Sequence, residues 1–423
     1  MITRRVTLRL YPNRQQLDKL HYWRKMHCNL YNAAIANRKT QYQHYKHSVS
    51  YFEQQNSLPE FKKVWHEYVE LGSHALQATL KRVDLAFNRF FRNLGGYPKF
   101  KASRRYAGWS YPDIAGWKAF SSGKNGYLEL SNLGKIQMRG EARTWGKPTT
   151  CTIFWRNNNW YASITVNCIP KRVAVGTGVV GMDLGCEQAI TLWDGEKSQV
   201  IENPRFFGKT LAKIKKTSRQ LRRKTAPNFK KKVRASSRYK KVQNKVNKLR
   251  RKSTNQRKNW IHQVAAQITK SNSLVATEEL NIKGMTARAK KGNRKRSKAG
   301  LNRSILDVGM SEFLKTLEYK LQEAEGFLIK APTRKLKPSQ TCPKCGHQHK
   351  KDLSERTHYC EKCHFQTGRD IAAAMVCLNY ALGLGTSFNT RGVQTSTVTA
   401  TGGWQQVWAA KRETRVKPSG RAE

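Results

Sequence analysis

Acidic residues are scarce in this chain of 423 residues: 27 Asp and Glu stand against 81 Lys and Arg, a formal net charge of +54. None at all occurs between Glu202 and Glu278. Such an excess repels itself unless a polyanion is near, and nucleic acid fits best, because each neutralised phosphate releases counterions. Long apolar runs are also missing, and the basic stretches are not strongly amphipathic, which argues against a membrane partner. The opening Met1-Ile-Thr-Arg-Arg-Val-Thr-Leu-Arg-Leu10 alternates like a strand and has no secretory apolar core, so a cytoplasmic protein is expected. Nor is there a disulfide framework. Of nine cysteines four have metal-ligand spacing, and Cys28, Cys151, Cys168, Cys186 and Cys377 are scattered and read as small buried hydrophobes.

The length predicts two or three domains. Residues 1–12 read as one strand, broken at Tyr11-Pro12-Asn13. From Gln15 to about Phe91 apolar residues recur at helical spacing: Leu17, Leu20, Trp23, Met26 and Leu30, then Leu76, Leu80, Val83 and Phe87. Between about 96 and 170 short alternating strands follow, with turns expected at Gly123–Gly126 and Arg156–Asn159. This stretch reads as a β-barrel or sandwich whose first strand is residues 1–12. From Gly176 the pattern becomes α/β: strands at Val179–Met182, Ala189–Trp193, Leu274–Glu278 and Phe327–Ala331, and helices at Phe313–Glu325 and Asp370–Leu382. The run Lys209–Lys258 keeps a loose helical spacing of Leu211, Ile214, Leu221, Val242, Val246 and Leu249, which predicts a long basic helical hairpin. The Thr-, Ser- and Gly-rich tail reads as disordered, with Trp404 and Trp408 pointing to some docking.

Three isolated carboxylates stand out: Asp183 in Val179-Val-Gly-Met-Asp183-Leu-Gly, Glu278 in Leu274-Val-Ala-Thr-Glu278-Glu, and Asp370 in Gly368-Arg-Asp370-Ile-Ala-Ala-Ala. Cutting a phosphodiester needs an activated water and a stabilised leaving oxyanion, and two cations held by clustered carboxylates supply both. Mg²⁺ suits such a site because it accepts carboxylate oxygens and keeps waters. An RNase H-like fold places an Asp on its first strand, a Glu on a later strand and an Asp opening the last helix, the order seen here. Glu279 competes with Glu278 for the middle role. Asp194 reads as a turn residue and Asp307 as a helix-terminus residue. More specific is the set Cys342-Pro-Lys-Cys345 and Cys360-Glu-Lys-Cys363: two C-x-x-C knuckles with fourteen residues between them, the spacing of a structural Zn²⁺ ribbon. An iron–sulfur cluster has no support beyond the thiols. His347, His349, His358 and His364 read as surface histidines. Basic residues interleaved with aromatics, as in Tyr97-Pro-Lys99-Phe-Lys101, Arg104-Arg-Tyr-Ala-Gly-Trp109 and Lys290–Lys298, suit phosphates and unpaired bases.

Taken together, the chain resembles the TnpB family of transposon-encoded RNA-guided nucleases, relatives of the compact type V CRISPR effectors. The resemblance runs through Leu10-Tyr-Pro-Asn-Arg-Gln-Gln16, Asn29-Leu-Tyr-Asn-Ala33, Ser73–Phe91, Gly96-Tyr-Pro-Lys-Phe-Lys101, Gly181–Gly185, Ile201–Arg205, Glu278–Met285, Gly300-Leu-Asn-Arg-Ser-Ile-Leu-Asp307, Pro338–Gly346 and Arg369–Ala374. It implies a multidomain α/β chain. A wedge β-barrel (1–12 and 96–175) is interrupted by a helical recognition domain (13–95). A RuvC nuclease of RNase H-like fold (176–338, closing helix 367–385) carries a zinc-ribbon insertion for target nucleic acid (339–366), before the tail 386–423. It implies Asp183, Glu278 and Asp370 as catalytic ligands of two Mg²⁺, and Cys342, Cys345, Cys360 and Cys363 as Zn²⁺ ligands. The implied partners are target DNA and a guide RNA from the transposon end, one chain per guide RNA, in a prokaryotic, nucleoid-associated setting. Candidate nucleic-acid contacts are Gln77, Lys81, Tyr97, Lys99 and Lys101 near the flanking motif, and Arg222, Arg223, Lys230, Lys231, Lys232, Arg250 and Arg251 in the basic run.

The chain also departs from the family pattern. Gly368 and Ala372 stand where the family usually has Asp and Asn, and Pro338 replaces a Thr. Two neighbouring readings stay open: a compact CRISPR effector, which differs in genomic context, and an RNA-guided repressor without cleavage, which the intact carboxylates disfavour. A zinc-containing accessory factor of a transposase would not need three such carboxylates.

Overall fold

Alternation along Ile2–Tyr11 (β1) turns Leu8 and Leu10 inward, and in the computed structural model this strand lies between two partners distant in sequence. Residues 2–122, 124–140, 145–169, 176–228, 231–287, 295–352 and 355–384 are described, in two compact units, 1–172 and 173–423. Lys230, Gly123, residues 290–294 and the tail 386–423 with Trp404 and Trp408 lie outside the described residues.

In the first unit, helices Arg14–Tyr45 (α1), Tyr51–Asn56 (α2), Leu58–Val64 (α3) and Ser73–Phe91 (α4) follow β1. Asn13 and Gln16 start α1 with a reciprocal capping box. Leu20, Trp23, Met26 and Leu30 of α1 and Leu76, Leu80, Val83 and Phe87 of α4 are buried, the helical stripe read from the sequence. Six strands then join β1: Gly108–Tyr111 (β2), Trp117–Ser121 (β3), Asn125–Leu130 (β4), Gly134–Arg139 (β5), Lys147–Arg156 (β6) and Asn159–Cys168 (β7). The sheet is antiparallel in the order β2-β6-β7-β1-β5-β4-β3. The β6–β7 hairpin turns on Asn157 and Asn158, both at positive φ (53° and 60°), the paired left-handed conformation of a tight hairpin. Gly126 corrects an expectation: it lies inside β4 opposite Ser121, not in a turn, where a Cβ would stand 2.0 Å from the Phe120 carbonyl oxygen. Trp23, Trp109 and Trp160 fill the core, and His27 stacks on Trp109 at 5.2 Å. Burial, and then Arg82, hold the His27 pKa down to about 3, so it packs as a neutral ring.

The second unit is built on strands Gly178–Leu184 (β8), Gln188–Trp193 (β9) and Ser198–Glu202 (β10), a meander, then Asn272–Glu278 (β11) and Phe327–Ala331 (β12). The order β10-β9-β8-β11-β12 is antiparallel up to β8 and parallel from β8 onward. Parallel pairing needs crossovers, and helices supply them. Phe206–Arg222 (α5) and Ser237–Ser271 (α6) join β10 to β11. Ile282–Met285 (α7), Lys295–Val308 (α8) and Met310–Glu323 (α9) join β11 to β12. On one face Val180, Met182 and Val275 pack against Ile261, Ala265 and Ile268 of α6 and Phe313 and Leu317 of α9. Thr333–Leu336 (α10), the hairpin Thr357–Tyr359 (β13) with Gln366–Gly368 (β14), and the helix Arg369–Leu382 (α11) complete the unit, and α11 covers the other face.

Helices α5 and α6 form the expected basic hairpin, with Asn228 and Val233 paired across its turn. At 35 residues α6 runs about 52 Å. Its second half is core, whereas α5 and the first half of α6 bury only Ile214 and Val246 among their apolar residues and present Lys and Arg elsewhere. Asp307, on α8, fixes the base: its two carboxylate oxygens accept the N–H groups of Phe207 (2.9 Å) and Gly208 (3.0 Å) in the first turn of α5.

Candidate active site and metal centre

The β8–β11 register sets Met182 opposite Thr277, so the next residues, Asp183 and Glu278, sit side by side at the carboxyl ends of two parallel strands. Period-two alternation sends Glu278 to the same face as Leu274 and Ala276, the face that α11 covers. Glu279 is exposed, and its carbonyl accepts the Thr333 hydroxyl (2.9 Å). Asp370 stands in the first turn of α11. That helix reaches β8 closely because position 181 has no side chain; a Cβ there would lie 2.0 Å from the Ala374 carbonyl oxygen.

The charges of Glu278 and Asp370 both act on Asp183. Burial, then the charges of Glu278 and Asp370, push Asp183 up to about 8, against the Leu184 N–H and Arg369, which lower it. Burial raises Glu278 as well. Carboxylate oxygens whose charges oppose one another at Asp183 are hard donors of the kind a divalent cation such as Mg²⁺ takes. The buried Cys377 thiol on α11 is raised well above its usual value by burial and then by the charges of Glu278 and Asp183.

Sequence reasoning missed Cys377 and Arg369 as neighbours of this cluster. Arg369 Nε lies 3.7 Å from Asp370 Oδ1, and its Nη1 donates to the Glu355 carbonyl (3.1 Å). Its backbone N–H donates to the Arg356 carbonyl (2.8 Å), and Arg356 pairs with Glu187 at 2.7 Å in the loop after β8. Arg369 thus ties the cysteine module to Asp370. Its place beside Asp370 in the sequence was the only available clue.

Cys342, Cys345, Cys360 and Cys363 bring their four sulfurs within 4.8 Å of one another, with Cys342–Cys363 at 3.6 Å and Cys345–Cys360 at 3.5 Å. Tetrahedral Zn–S bonds of ~2.3 Å require sulfurs about 3.8 Å apart, so the set fits Zn²⁺. The two knuckles repeat one geometry. Cys342 N–H bonds the His347 carbonyl and Gly346 N–H the Cys342 carbonyl; Cys360 N–H bonds the Phe365 carbonyl and His364 N–H the Cys360 carbonyl. Gly346 (φ 74°) and His364 (φ 53°) take matching left-handed positions. Burial would raise the Cys360 thiol, but N–H donors of Cys363 and Lys362, with neighbouring thiols, hold it down to about 7. His358 corrects the surface reading: it is 2% exposed, its Nδ1 meets Lys351 Nζ, and burial followed by Lys351 holds it to about 4. His347, His349 and His364 are exposed.

Among the expected nucleic-acid contacts, Gln77 is half-buried on α4. Lys81 is engaged by Asp84 (3.0 Å) and lies over the Tyr51 ring (4.4 Å). Lys101 lies over Tyr31 (4.2 Å), and its backbone N–H donates to Asn32 (2.8 Å). Tyr97 and Lys99 are exposed, as are Arg222 and Arg223 at the end of α5, Lys231 and Lys232 in the turn, and Arg250 and Arg251 on α6. Asp194 accepts the N–H groups of Glu196 and Lys197, the turn role expected of it. Cys28, Cys151, Cys168 and Cys377 are buried, and Cys186 is half-buried.

Comparison with known proteins adds the lineage. Residues 163–289 match the family described as "Probable transposase", and residues 311–377 the family "Cas12f1-like, TNB domain". A protein of Escherichia coli (strain K12) to which the role of RNA-guided DNA endonuclease InsQ is ascribed is 28% identical over 356 residues, 82% of this chain and 84% of the relative. A Streptomyces pristinaespiralis protein ascribed the role of RNA-guided DNA endonuclease is 26% identical over 382 residues, 88% of each chain. In fold, the chain is similar to the mini-RNA-guided endonuclease CRISPR-Cas_phi3, at a TM-score of 0.51 and 9% identity over 92% of this chain and 93% of that one. No helix among the described residues is long and apolar enough to cross a membrane. A transposase-family match followed by a TNB-domain match, with two curated relatives similar along most of the length, supports the resemblance to the TnpB family.

Proposed function

We propose that this protein is a transposon-encoded RNA-guided DNA endonuclease that cuts target DNA beside a short flanking motif by metal-dependent phosphodiester hydrolysis. The observation that supports the reading is that Asp183 and Glu278 follow the paired residues Met182 and Thr277 on two parallel strands, with Asp183 pushed up to about 8 by burial and by the charges of Glu278 and Asp370. In this reading residues 176–338 and 367–385 are a RuvC nuclease of RNase H-like fold, which the strand order β10-β9-β8-β11-β12 supports, with residues 339–366 as its zinc ribbon. The antiparallel sheet of the first unit is the wedge and α1–α4 the recognition insertion.

Asp183, Glu278 and Asp370 would hold two Mg²⁺ ions, which would supply an activated water and a counter-charge for the leaving oxyanion. Each acid rides on a rigid strand or helix, so the donor geometry is set before substrate arrives. Arg369 restrains Asp370 and offsets part of the negative charge at Asp183. Guide pairing supplies most of the sequence choice, and the protein reads only a flanking motif. The basic hairpin grips RNA or heteroduplex backbone without sequence preference.

The test is substitution. Asp183→Ala, Glu278→Ala or Asp370→Ala is expected to cut cleavage by about a hundredfold or more while guide and target binding stay near wild type. Full cleavage by Asp183→Ala would overturn the mechanism.

A further inference from the structure

The C-terminal end of α4 and the segment after it expose a group of aromatic rings that the hydrophobic core does not use. Phe91 is 66% exposed and Phe100 59% exposed. Phe90 meets Phe91 at 5.4 Å and Tyr97 at 5.3 Å, and Tyr97 also meets Phe87 at 5.6 Å. Phe87 is buried, so the outer rings stand on a fixed base. A contiguous exposed apolar patch on a soluble chain marks an interaction surface.

Charge identifies the partner. From 85 to 112 the sequence contains no Asp or Glu, while Arg89, Arg92 and Lys99 are exposed around the rings. A protein partner would meet this patch with apolar or acidic groups of its own. An unpaired nucleic-acid strand offers both complements at once: flat base faces for the rings and phosphates for the guanidinium and ammonium groups. A base pair inside a duplex hides its faces, so intact double-stranded DNA gains only the phosphate contacts.

We propose that Phe90, Phe91 and Tyr97, with Phe100 three residues further along the chain, and with Arg89, Arg92 and Lys99 beside them, form a base-stacking platform for single-stranded DNA, the strand that guide pairing displaces from its target. The proposal rests on the RNA-guided reading above for the origin of that strand. The assignment to DNA rests on the origin of the strand, because opening a target duplex releases an unpaired DNA strand.

The probe is a short single-stranded DNA carrying 2-aminopurine, whose fluorescence falls when the base stacks, titrated into the full chain at two salt concentrations. Stacking and phosphate contacts separate there, because only the phosphate contacts weaken steeply with salt. The wild-type chain is expected to quench the probe. Phe91→Ala combined with Tyr97→Ala is expected to lose quenching and to weaken affinity about five- to a hundredfold for each base released, with the salt slope unchanged. Arg89→Gln with Arg92→Gln is expected to do the reverse, lowering the slope and keeping the quench. Phe91 and Phe100 are surface rings, so single Phe91→Leu and Phe100→Leu variants, checked by melting temperature, keep the test independent of folding. An unchanged quench in the double variant would overturn the platform, and stronger quenching of an RNA oligomer of the same sequence would overturn the choice of DNA. If guide-dependent cleavage failed while quenching persisted, the nuclease reading would fall and the platform would stand; lost quenching with normal cleavage would mean the opposite.

Discussion

Asp183→Asn should stabilise the metal-free protein while destroying its activity, and the structure sets the size of the effect. The folded chain raises the Asp183 carboxyl from 3.8 to about 8. An acid raised by folding contributes its full stability below the unfolded value and loses it as pH rises through the folded one, here between about pH 4 and 8. At pH 8 a shift of about four units corresponds to a ceiling of roughly 5 kcal/mol at 1.36 kcal/mol per unit. The three acids titrate together and water reaches the recess, so about 1–3 kcal/mol is expected to survive. For a unit of this size that is a rise of roughly 2–10 °C in melting temperature. The assay is calorimetry on chelator-treated wild type and Asp183→Asn between pH 5 and 8. The gap should open in the variant's favour as pH rises, and Mg²⁺ should close it by stabilising only the wild type. A variant that melts at or below wild type at pH 8 without metal would refute the crowded-carboxylate argument.

Gly181→Ala should destabilise by about 3 kcal/mol or more, because the new methyl collides with the Ala374 carbonyl and pushes α11 with Asp370 off β8; urea unfolding and cleavage should fail together. Asp307→Ala should cost about 1–2 kcal/mol of local stability by leaving the first turn of α5 uncapped, read as faster hydrogen exchange at Phe207 and Gly208 with the β8–β11 sheet unchanged. Cys360→Ser should reduce bound zinc from about one per chain toward none by elemental analysis and loosen the segment around Cys342–Cys363; unchanged zinc content would contradict the four-thiolate site.

Features written in local pattern were readable from the sequence. Alternation gave β1, β6 and β7, apolar spacing gave α1, α4 and the α5–α6 hairpin, and short apolar runs ending in an acid gave β8 and β11. The C-x-x-C pairs foretold the sulfur cluster because a closed tetrahedral site imposes its own spacing. Strands β2 and β3 were not named, being only four and five residues long and punctuated by Gly108, Pro112 and Gly116. Helix α8 escaped because Gly300 and its basic start weaken the apolar period. His358 looked like a surface residue because its burial is created by packing against Phe365 and Lys351, which no periodicity announces. The link from Arg369 to Glu355 and Arg356 is likewise a product of tertiary structure.

The central claim is that a bound RNA selects the DNA which Asp183, Glu278 and Asp370 then cut. The most direct measurement purifies the chain with its RNA, maps cleavage on a plasmid, and repeats it after replacing only the guide segment. The account predicts that cleavage moves to the sequence complementary to the new guide, needs Mg²⁺, stops when the RNA is digested, and is absent from Asp183→Asn. Cutting at unchanged sites after the guide is replaced or digested would contradict it.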